Sequence, residues 1–271
     1  MQTTCCFSRP SPQPATNYVE LQEDIDTLNN WVTTNHLSFN TSKCKYMLIS
    51  RKKYPSHPPT LVIGSSTLER VYSYKYLGLR LTSTLCWSDH INDICIKAKK
   101  LIGMLYRRFY KNMDSQSLFQ LYLTLVRPHI EYASQVWNPY LQRDIQQLER
   151  VQKFALRMCS KQWDLGYEEL LNLFNIPSLD DRRKYLNLCT MYKIVHDHVY
   201  FPHGVFVPRV TTLRSASKLL FHQPFARTSS FLHSFVPHTC ALWNNLPSNI
   251  MHVCTLSAFK FSLTNCLYHN S

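Results

Sequence analysis

Hydrophobic positions along the chain predict a mainly helical protein that begins with a small sheet. Between Leu61 and Leu81, short apolar runs separated by turn residues predict antiparallel strands. Elsewhere, apolar residues recur every three or four positions, which is the period of an α-helix. This helical spacing covers 21–32, 91–109 and 145–156. We therefore expect an α+β fold: a small antiparallel sheet or hairpin, then helices, then an irregular C-terminal region.

Turn and capping residues place the boundaries of these elements. Asp114 and Ser178 are expected to cap the starts of two helices, and Pro128 is expected to break or kink the first of them. Gly64-Ser65-Ser66 is expected to form a turn. The predicted strands are Tyr46–Ile49, Leu61–Ile63, Leu68–Val71 and Tyr74–Leu81.

The predicted regions are a loose lead-in over 1–16, a mixed region over 17–88, a helical region over 89–200 and a separate, less regular region over 201–271, with a Pro-rich loop at 54–59.

Composition excludes some functions and favours others. The net charge is +13, and no Asp or Glu follows Asp197, so nucleic acid or another anionic surface is a natural partner. The alternative is that this charge only keeps the protein in solution. The chain has only 5 glycines and no glycine-rich phosphate loop.

The cysteines and apolar runs indicate where in the cell the protein resides and whether it binds metal ions. Ten cysteines occur without a CxxC pair, which does not support a zinc ribbon. His196, His198 and His203 lack Cys or carboxylate partners at ligand spacing, so no metal site is expected. The sequence shows no secretion signal and no run long enough to span a membrane. We expect reduced thiols in a nuclear or cytoplasmic protein that is not secreted and has no membrane partner.

A strand that leads into a long basic helix is the most informative segment. It runs from Ser73 to Tyr110, and no acidic residue occurs between Asp93 and Asp114. Such a helix could hold a phosphate backbone, although a merely solvated face is the alternative. Its basic residues are Lys97, Lys99, Lys100, Arg107, Arg108 and, just beyond it, Lys111, and all but Lys99 fall roughly on one side.

Several sequence blocks occur in a fixed order along the chain. They are LQEDIDTLNNWVTTNHLSFNTSKCKYMLIS at 21–50, SYKYLGLRL at 73–81, LYLTLVRPHIEYASQVWNP at 121–139, DIQQLERVQKFALR at 144–157 and SFVPHTCALWNNLPSNI at 234–250. In this order they resemble the distal half of the reverse transcriptase of non-LTR (LINE, jockey-like) retrotransposons. The first block resembles a palm helix and motif D, the second the primer grip, the next two the thumb and the last the C-terminal region. The resemblance implies a partial palm over 17–88, a helical thumb over 89–200 and a C-terminal region over 201–271.

The resemblance also implies roles for particular residues. Lys43 lies at the motif D lysine and would be accessory at most; a solvated lysine is the alternative. Tyr76 and Gly78 would belong to the primer grip, alongside Tyr74 and Leu77, or to an ordinary hairpin. The thumb helix would contact the sugar-phosphate backbone of a template–primer duplex without sequence specificity. The residues implied are Lys97, Lys100, Arg107, Arg108 and Lys111.

The sequence departs from this family at the catalytic centre. In the intact family enzyme, paired aspartates shortly before the palm helix hold two magnesium ions, whereas here no Asp or Glu precedes Glu20. We therefore expect a truncated polymerase without its catalytic residues or magnesium, which does not polymerise alone and associates through exposed palm surface. The alternatives are a non-enzymatic helical interaction protein that binds protein or RNA, and a gene-model remnant that is seldom translated.

Overall fold

The computed structural model describes residues 17–50, 60–209 and 219–268. These residues form two compact units, one ending at Trp87 and the other beginning at Ser88. The predicted lead-in over 1–16 and the predicted Pro-rich loop over 54–59 lie outside the described residues. Helices dominate and the sheets are small, which confirms the predicted mainly helical α+β class.

The first unit combines one helix with three small two-stranded sheets among its described residues. Helix α1 spans Asn17–Thr34, and a short 3-10 turn spans Thr41–Lys43. The strands are β1 (Lys45–Tyr46), β2 (Val62–Ile63), β3 (Ser66–Thr67), β4 (Glu69–Arg70), β5 (Ser73–Tyr76) and β6 (Leu79–Thr82). The strand predicted over Tyr46–Ile49 is thus represented only by β1, which ends at Tyr46.

Two of the three sheets have the predicted direction and one does not. β2 pairs with β3 and β5 pairs with β6, both antiparallel. β4, however, pairs with β1 in parallel, with Lys45 opposite Glu69 and Tyr46 opposite Arg70. The prediction of an antiparallel strand over Leu68–Val71 is therefore wrong in its direction. Apolar spacing specifies an extended backbone, but it does not specify which distant strand becomes the neighbour.

Helix α1 is attached to the sheet region by one side chain. Gln22 Nε2 donates to the carbonyl of Val62 at 2.9 Å, and the amide of Val62 donates to Gln22 Oε1 at 2.9 Å. On the apolar face that the sequence predicted, Val32 is buried while Leu21 and Ile25 stay partly exposed. Because the apolar face of α1 is only partly buried, the two hydrogen bonds between Gln22 and Val62 help to hold α1 on the sheet region.

The second unit is an assembly of helices. In chain order they are α2 (Ser88–Phe109), α3 (Ser115–Leu121), a π-helical turn (Tyr122–Val126), α4 (Arg127–Glu131), α5 (Ser134–Trp137), α6 (Gln142–Ser160), α7 (Tyr167–Phe174), α8 (Leu179–Val195), α9 (Ser229–Leu232), α10 (Phe235–Asn244), α11 (Ser248–Met251) and α12 (Leu256–Tyr268). Helices α2 and α6 cover the helical patterns predicted over 91–109 and 145–156, and α8 begins directly after the predicted cap at Ser178.

Local sequence explains where these helices begin. Asp114 caps α3, because its Oδ1 accepts a hydrogen bond from the Ser117 amide at 2.8 Å. Ser178 caps α8, because its Oγ accepts from the Asp181 amide at 3.1 Å. The helical run does not end at Pro128: α3, the π-helical turn and α4 follow one another directly, so the predicted break is absent. The π-helical turn ends just before Arg127, and Pro128 lies in the first turn of α4.

Two groups of buried side chains stabilise the second unit. The inner face of α2 packs beside α6, and Ile91, Ala98, Ile102 and Leu105 are fully buried. Helices α10 and α12 pack against α8 around a second core. This core includes Met191, Tyr192, Trp243, Phe259 and Leu263. The sequence did not indicate this packing of the C-terminal region on α8.

The tryptophans differ in burial. Trp137 and Trp243 are fully buried and act as core anchors of the second unit. Trp87 is only partly buried.

Candidate nucleic-acid interface

The hairpin of β5 and β6 contains the predicted primer-grip residues. Tyr76 pairs with Leu79, and the two residues between them, Leu77 and Gly78, both have positive φ, of 47° and 86°. Two positive φ angles are typical of a type I′ turn, which favours glycine at its second central position. The turn therefore gives a sufficient backbone reason for Gly78, whatever the hairpin binds.

The two faces of this hairpin differ in chemistry. Tyr74 and Tyr76 alternate with Lys75, so the tyrosines share one face and Lys75 lies on the other. Lys75 is directly opposite Arg80, which places two positive charges side by side. Sequence reasoning missed this pair, although the alternation along SYKYLGLRL would have indicated it.

Lys43 lies at the end of the 3-10 turn in the same unit, and its side chain is exposed. Its neighbour Lys45 is paired instead with Glu69 across the parallel β1–β4 pair. Lys43 is thus a surface cation, and its accessory role stays a prediction.

Helix α2 presents the basic face that the sequence predicted. The side chains of Lys97, Lys99, Lys100, Arg107 and Arg108, and of Lys111 just beyond the helix, are all exposed. With 3.6 residues per turn, Lys99 points to a neighbouring side of the helix from the other five. Ion pairs found among the described residues involve other cations, namely Lys45, Arg127, Arg143, Arg182, Arg183 and Lys184. The exposed cations on the basic face of α2 take part in none of these pairs.

The positive charge of this face influences the pKa of a histidine on α4. His129 of α4 has a lowered pKa, chiefly because the ring is partly removed from water and also because Lys97 is close enough to repel its protonated form. Helices α2 and α4 are packed together. His129 therefore reports the local potential at the Lys97 end of the basic face.

An exposed aromatic cluster lies at the C-terminal end of α2, and sequence reasoning missed it. The rings of Tyr106 and Tyr110 are 4.5 Å apart, and Trp163 lies 6.4 Å from Tyr106 and 5.9 Å from Phe154, between ring centroids. Tyr106 belongs to α2, Tyr110 directly follows this helix, Phe154 belongs to α6 and Trp163 to the loop after α6. Phe154 and Trp163 are far from Tyr106 and Tyr110 along the chain, so no local sequence pattern predicts that these rings meet.

The buried thiols are poorly suited to nucleophilic chemistry. Burial raises the pKa of Cys95 and of Cys240 to about 11, and that of Cys159 to about 12. These groups therefore stay protonated near neutral pH. Across 17–50, 60–209 and 219–268, no group of three or more His, Cys, Asp or Glu side chains is arranged to hold a metal ion. Within the same residues, no helix combines the length and apolar character of a membrane span.

Sequence comparisons identify relatives for more than half of the chain. Over 167 residues, 60% of its length, the chain is 24% identical to the RNA-directed DNA polymerase from mobile element jockey of Drosophila funebris. It is 21% identical over 167 residues to the jockey polymerase of Drosophila melanogaster. It is also 22% identical, over 144 residues or 51% of its length, to a probable RNA-directed DNA polymerase from transposon X-element of Drosophila melanogaster.

These alignments cover only a small part of each relative. The chain spans 18% of the length of either jockey polymerase and 15% of the X-element polymerase. Neither a protein-family model nor a solved structure matches the chain. The alignments nevertheless confirm the resemblance predicted from the motifs: this chain is related to the reverse transcriptases of non-LTR retrotransposons.

Proposed function

We propose that this chain corresponds to the distal, nucleic-acid-binding part of a retrotransposon reverse transcriptase. In this proposal the basic face of α2, formed by Lys97, Lys100, Arg107, Arg108 and Lys111, contacts the sugar-phosphate backbone of a template–primer duplex. Helix α2 and its surroundings then act as the thumb, and the β5–β6 hairpin acts as the primer grip. The relatives are RNA-directed DNA polymerases, which motivates the choice of a template–primer as the ligand.

The cluster of exposed cations on α2 is the observation that carries this proposal. A helix of 22 residues is about 33 Å long. Its opposite face, which includes Ile91, Ala98 and Ile102, is fully buried, and the helix packs beside α6, so the charged face is held on an anchored element. Cations on such an element neutralise phosphates and release counterions, which favours binding without reading the base sequence.

Binding by this face has a defined dependence on salt. The triple variant Lys100→Ala, Arg107→Ala and Arg108→Ala removes the cations that would neutralise up to three phosphates. The slope of log K against log salt should then flatten by about 0.9 for each phosphate of duplex DNA that is no longer neutralised. Affinity should fall nearly equally for unrelated sequences, because phosphate contacts carry no sequence information. The measurement is a salt titration on two unrelated hybrid duplexes.

A matched control separates a local effect from a change in net charge. Arg209, Arg227 and Lys260 are exposed basic residues outside α2. Their triple alanine variant lowers the net charge equally and should leave the slope nearly unchanged. An unchanged slope in the α2 variant, or equal flattening in both variants, would contradict the proposal. The interpretation as a helical interaction protein would then be favoured.

A further inference from the structure

Helices α2 and α6 lie side by side and run in the same direction. Ser88 Oγ donates to Asp144 Oδ2 at 2.7 Å, and one turn further on Gln147 Nε2 donates to Asn92 Oδ1 at 3.1 Å. Residues seven apart on a helix share a face, because seven residues make nearly two turns. Counting on from Asn92 therefore places Lys99 and Tyr106 along the exposed seam, and counting on from Gln147 places Phe154 opposite them.

The far end of this seam is aromatic and open to solvent. We call Tyr106, Tyr110, Phe154 and Trp163 the aromatic strip. The side chains of Tyr106, Phe154 and Trp163 are 44%, 41% and 41% exposed, although each also contacts a neighbouring ring. Large rings of this kind are normally much more buried in a folded protein. Their partial exposure leaves ring surface available to a ligand.

Hydrogen bonding and a tight turn hold the strip in place. Trp163 Nε1 donates to the Tyr110 hydroxyl at 3.2 Å, which sets the orientation of the indole. Helix α6 ends at Ser160, and Lys161 adopts a left-handed conformation with φ of 61° that turns the chain back towards α2. The ammonium of Lys161 then lies 5.6 Å from the Tyr110 ring centroid. The rings are therefore positioned in advance of binding.

Positive charge surrounds these rings. The side chain of Arg107 folds back over Gly103, where its Nη1 lies 3.5 Å from the site that a Cβ would occupy. Lys99 and Arg150 are exposed on α2 and α6, and Lys161 is exposed at the end of α6. The acidic neighbour in sequence is Asp164, next to Trp163. The strip is thus a set of stacking surfaces in a cationic setting, which suits an anionic ligand with flat aromatic groups.

We propose that the aromatic strip stacks unpaired bases of a nucleic-acid strand whose phosphates follow the adjoining basic residues. Stacking of bases on aromatic side chains, combined with a positively charged track for the backbone, is how proteins bind single strands without sequence preference. A second copy of this chain is a poor occupant, because it would bring the same positive charges together. This inference rests on the proposed nucleic-acid function, and it adds single-stranded nucleic acid to the duplex proposed above.

Two probes of equal charge separate base stacking from phosphate binding. The 271-residue chain would be titrated with a single-stranded oligothymidine and with an abasic oligonucleotide of the same length. Base–aromatic stacking should make the oligothymidine bind about tenfold more tightly, at the low end of the stabilisation expected per stacked base. The double variant Phe154→Ala and Trp163→Ala should abolish this preference and leave abasic binding unchanged. Trp163→Phe, which keeps a flat ring, should retain most of it.

The controls make each outcome decisive. Phe261→Ala removes an exposed aromatic ring on α12 and should leave the preference intact. Equal binding of the two probes by the unaltered chain would overturn the stacking proposal while leaving phosphate binding in place. If neither probe nor a duplex bound, the proposed function itself would fail. The stacking proposal would also be overturned if the double variant kept the preference for oligothymidine. The same conclusion would follow if the unaltered chain showed no base preference but sedimented as a dimer that the double variant dissociates.

Discussion

The hydroxyl of Tyr122 donates a 2.7 Å hydrogen bond to Oε1 of Gln152, and both side chains are almost completely buried. The Nε2 of Gln152 donates in turn to the Tyr167 hydroxyl and to the Pro177 carbonyl, both at 3.0 Å. Tyr167 donates to Glu149, whose carboxylate also accepts the backbone amides of Leu179 and Asp180 at the start of α8. This network joins the π-helical turn, α6, α7 and α8.

The network should be costly to interrupt. Burial raises the pKa of Tyr122 and of Tyr167, so both hydroxyls remain protonated donors. Tyr122→Phe removes one donor and leaves Gln152 Oε1 buried without it, so we expect a decrease of about 1–3 kcal/mol in the free energy of unfolding. The measurement is urea unfolding followed by circular dichroism. Tyr200→Phe, at an exposed tyrosine, is the matched control and should change nothing. Equal stability of the two variants would show that the hydrogen bond contributes little.

Asp180 should make stability depend on acid pH. Burial raises the pKa of its carboxyl, but hydrogen bonds from Lys184 and the charges of Arg183 and Lys184 outweigh this, and the net pKa is lowered. A carboxyl with a lowered folded-state pKa stabilises the fold above its unfolded pKa of about 3.9, and this contribution disappears as the pH falls through the folded value. Arg183 is only 2% exposed, so removing its anionic partner is destabilising.

The test compares Asp180→Asn with the unaltered chain at two pH values. At pH 6 the variant should be less stable by about 1–2 kcal/mol, less than for a fully buried pair because Asp180 is partly exposed. Below about pH 4 the difference should begin to shrink, and it should disappear once the pH falls through the lowered folded-state pKa, because both chains then lack the charge. Unfolding free energies from urea titrations measure both points. A gap that stays constant down to pH 2 would rule out this electrostatic explanation.

The pKa of His129 should respond both to the charge of Lys97 and to bound phosphate. Because the charge of Lys97 contributes to the lowered pKa of His129, Lys97→Ala should raise this pKa towards its usual value of about 6.5. A phosphate bound at the basic face should raise it as well, by favouring the protonated imidazole. NMR titration of the imidazole, with and without duplex, measures both shifts. Lys260→Ala, on α12, should leave the pKa unchanged. If Lys97→Ala left the pKa of His129 unchanged, burial alone would account for its lowered pKa.

The 271 residues on their own should not extend a primer. The two-metal mechanism of nucleotide addition needs converging carboxylates, and the sequence before Glu20 contains none. We accordingly propose that these residues hold no catalytic magnesium pair. The purified chain would be given an RNA template, a DNA primer, nucleotides and magnesium, beside an active reverse transcriptase as positive control. Template-dependent extension above the level of a buffer blank would refute this expectation.

Local signals in the sequence predicted the long helices and the basic face. The apolar spacing of α2 and α6, and the capping residues Asp114 and Ser178, act within one or two turns of the chain, so they can be recognised without any tertiary contact. The exposed position of Lys100 and Arg107 follows from the same periodicity, because the opposite face of α2 is apolar. The blocks of sequence likewise indicated the relationship to retrotransposon polymerases.

Contacts between distant segments were decided only by the tertiary structure. The parallel pairing of β1 with β4, the packing of α10 and α12 on α8, and the polar network around Gln152 each join residues that no local pattern connects. The aromatic strip has the same origin, because Trp163 reaches Tyr110 only through the turn at Lys161 and the parallel alignment of α2 with α6. Periodicity determines which face of an element is buried, whereas the partner of that face depends on how the whole chain minimises its exposed apolar and unsatisfied polar groups.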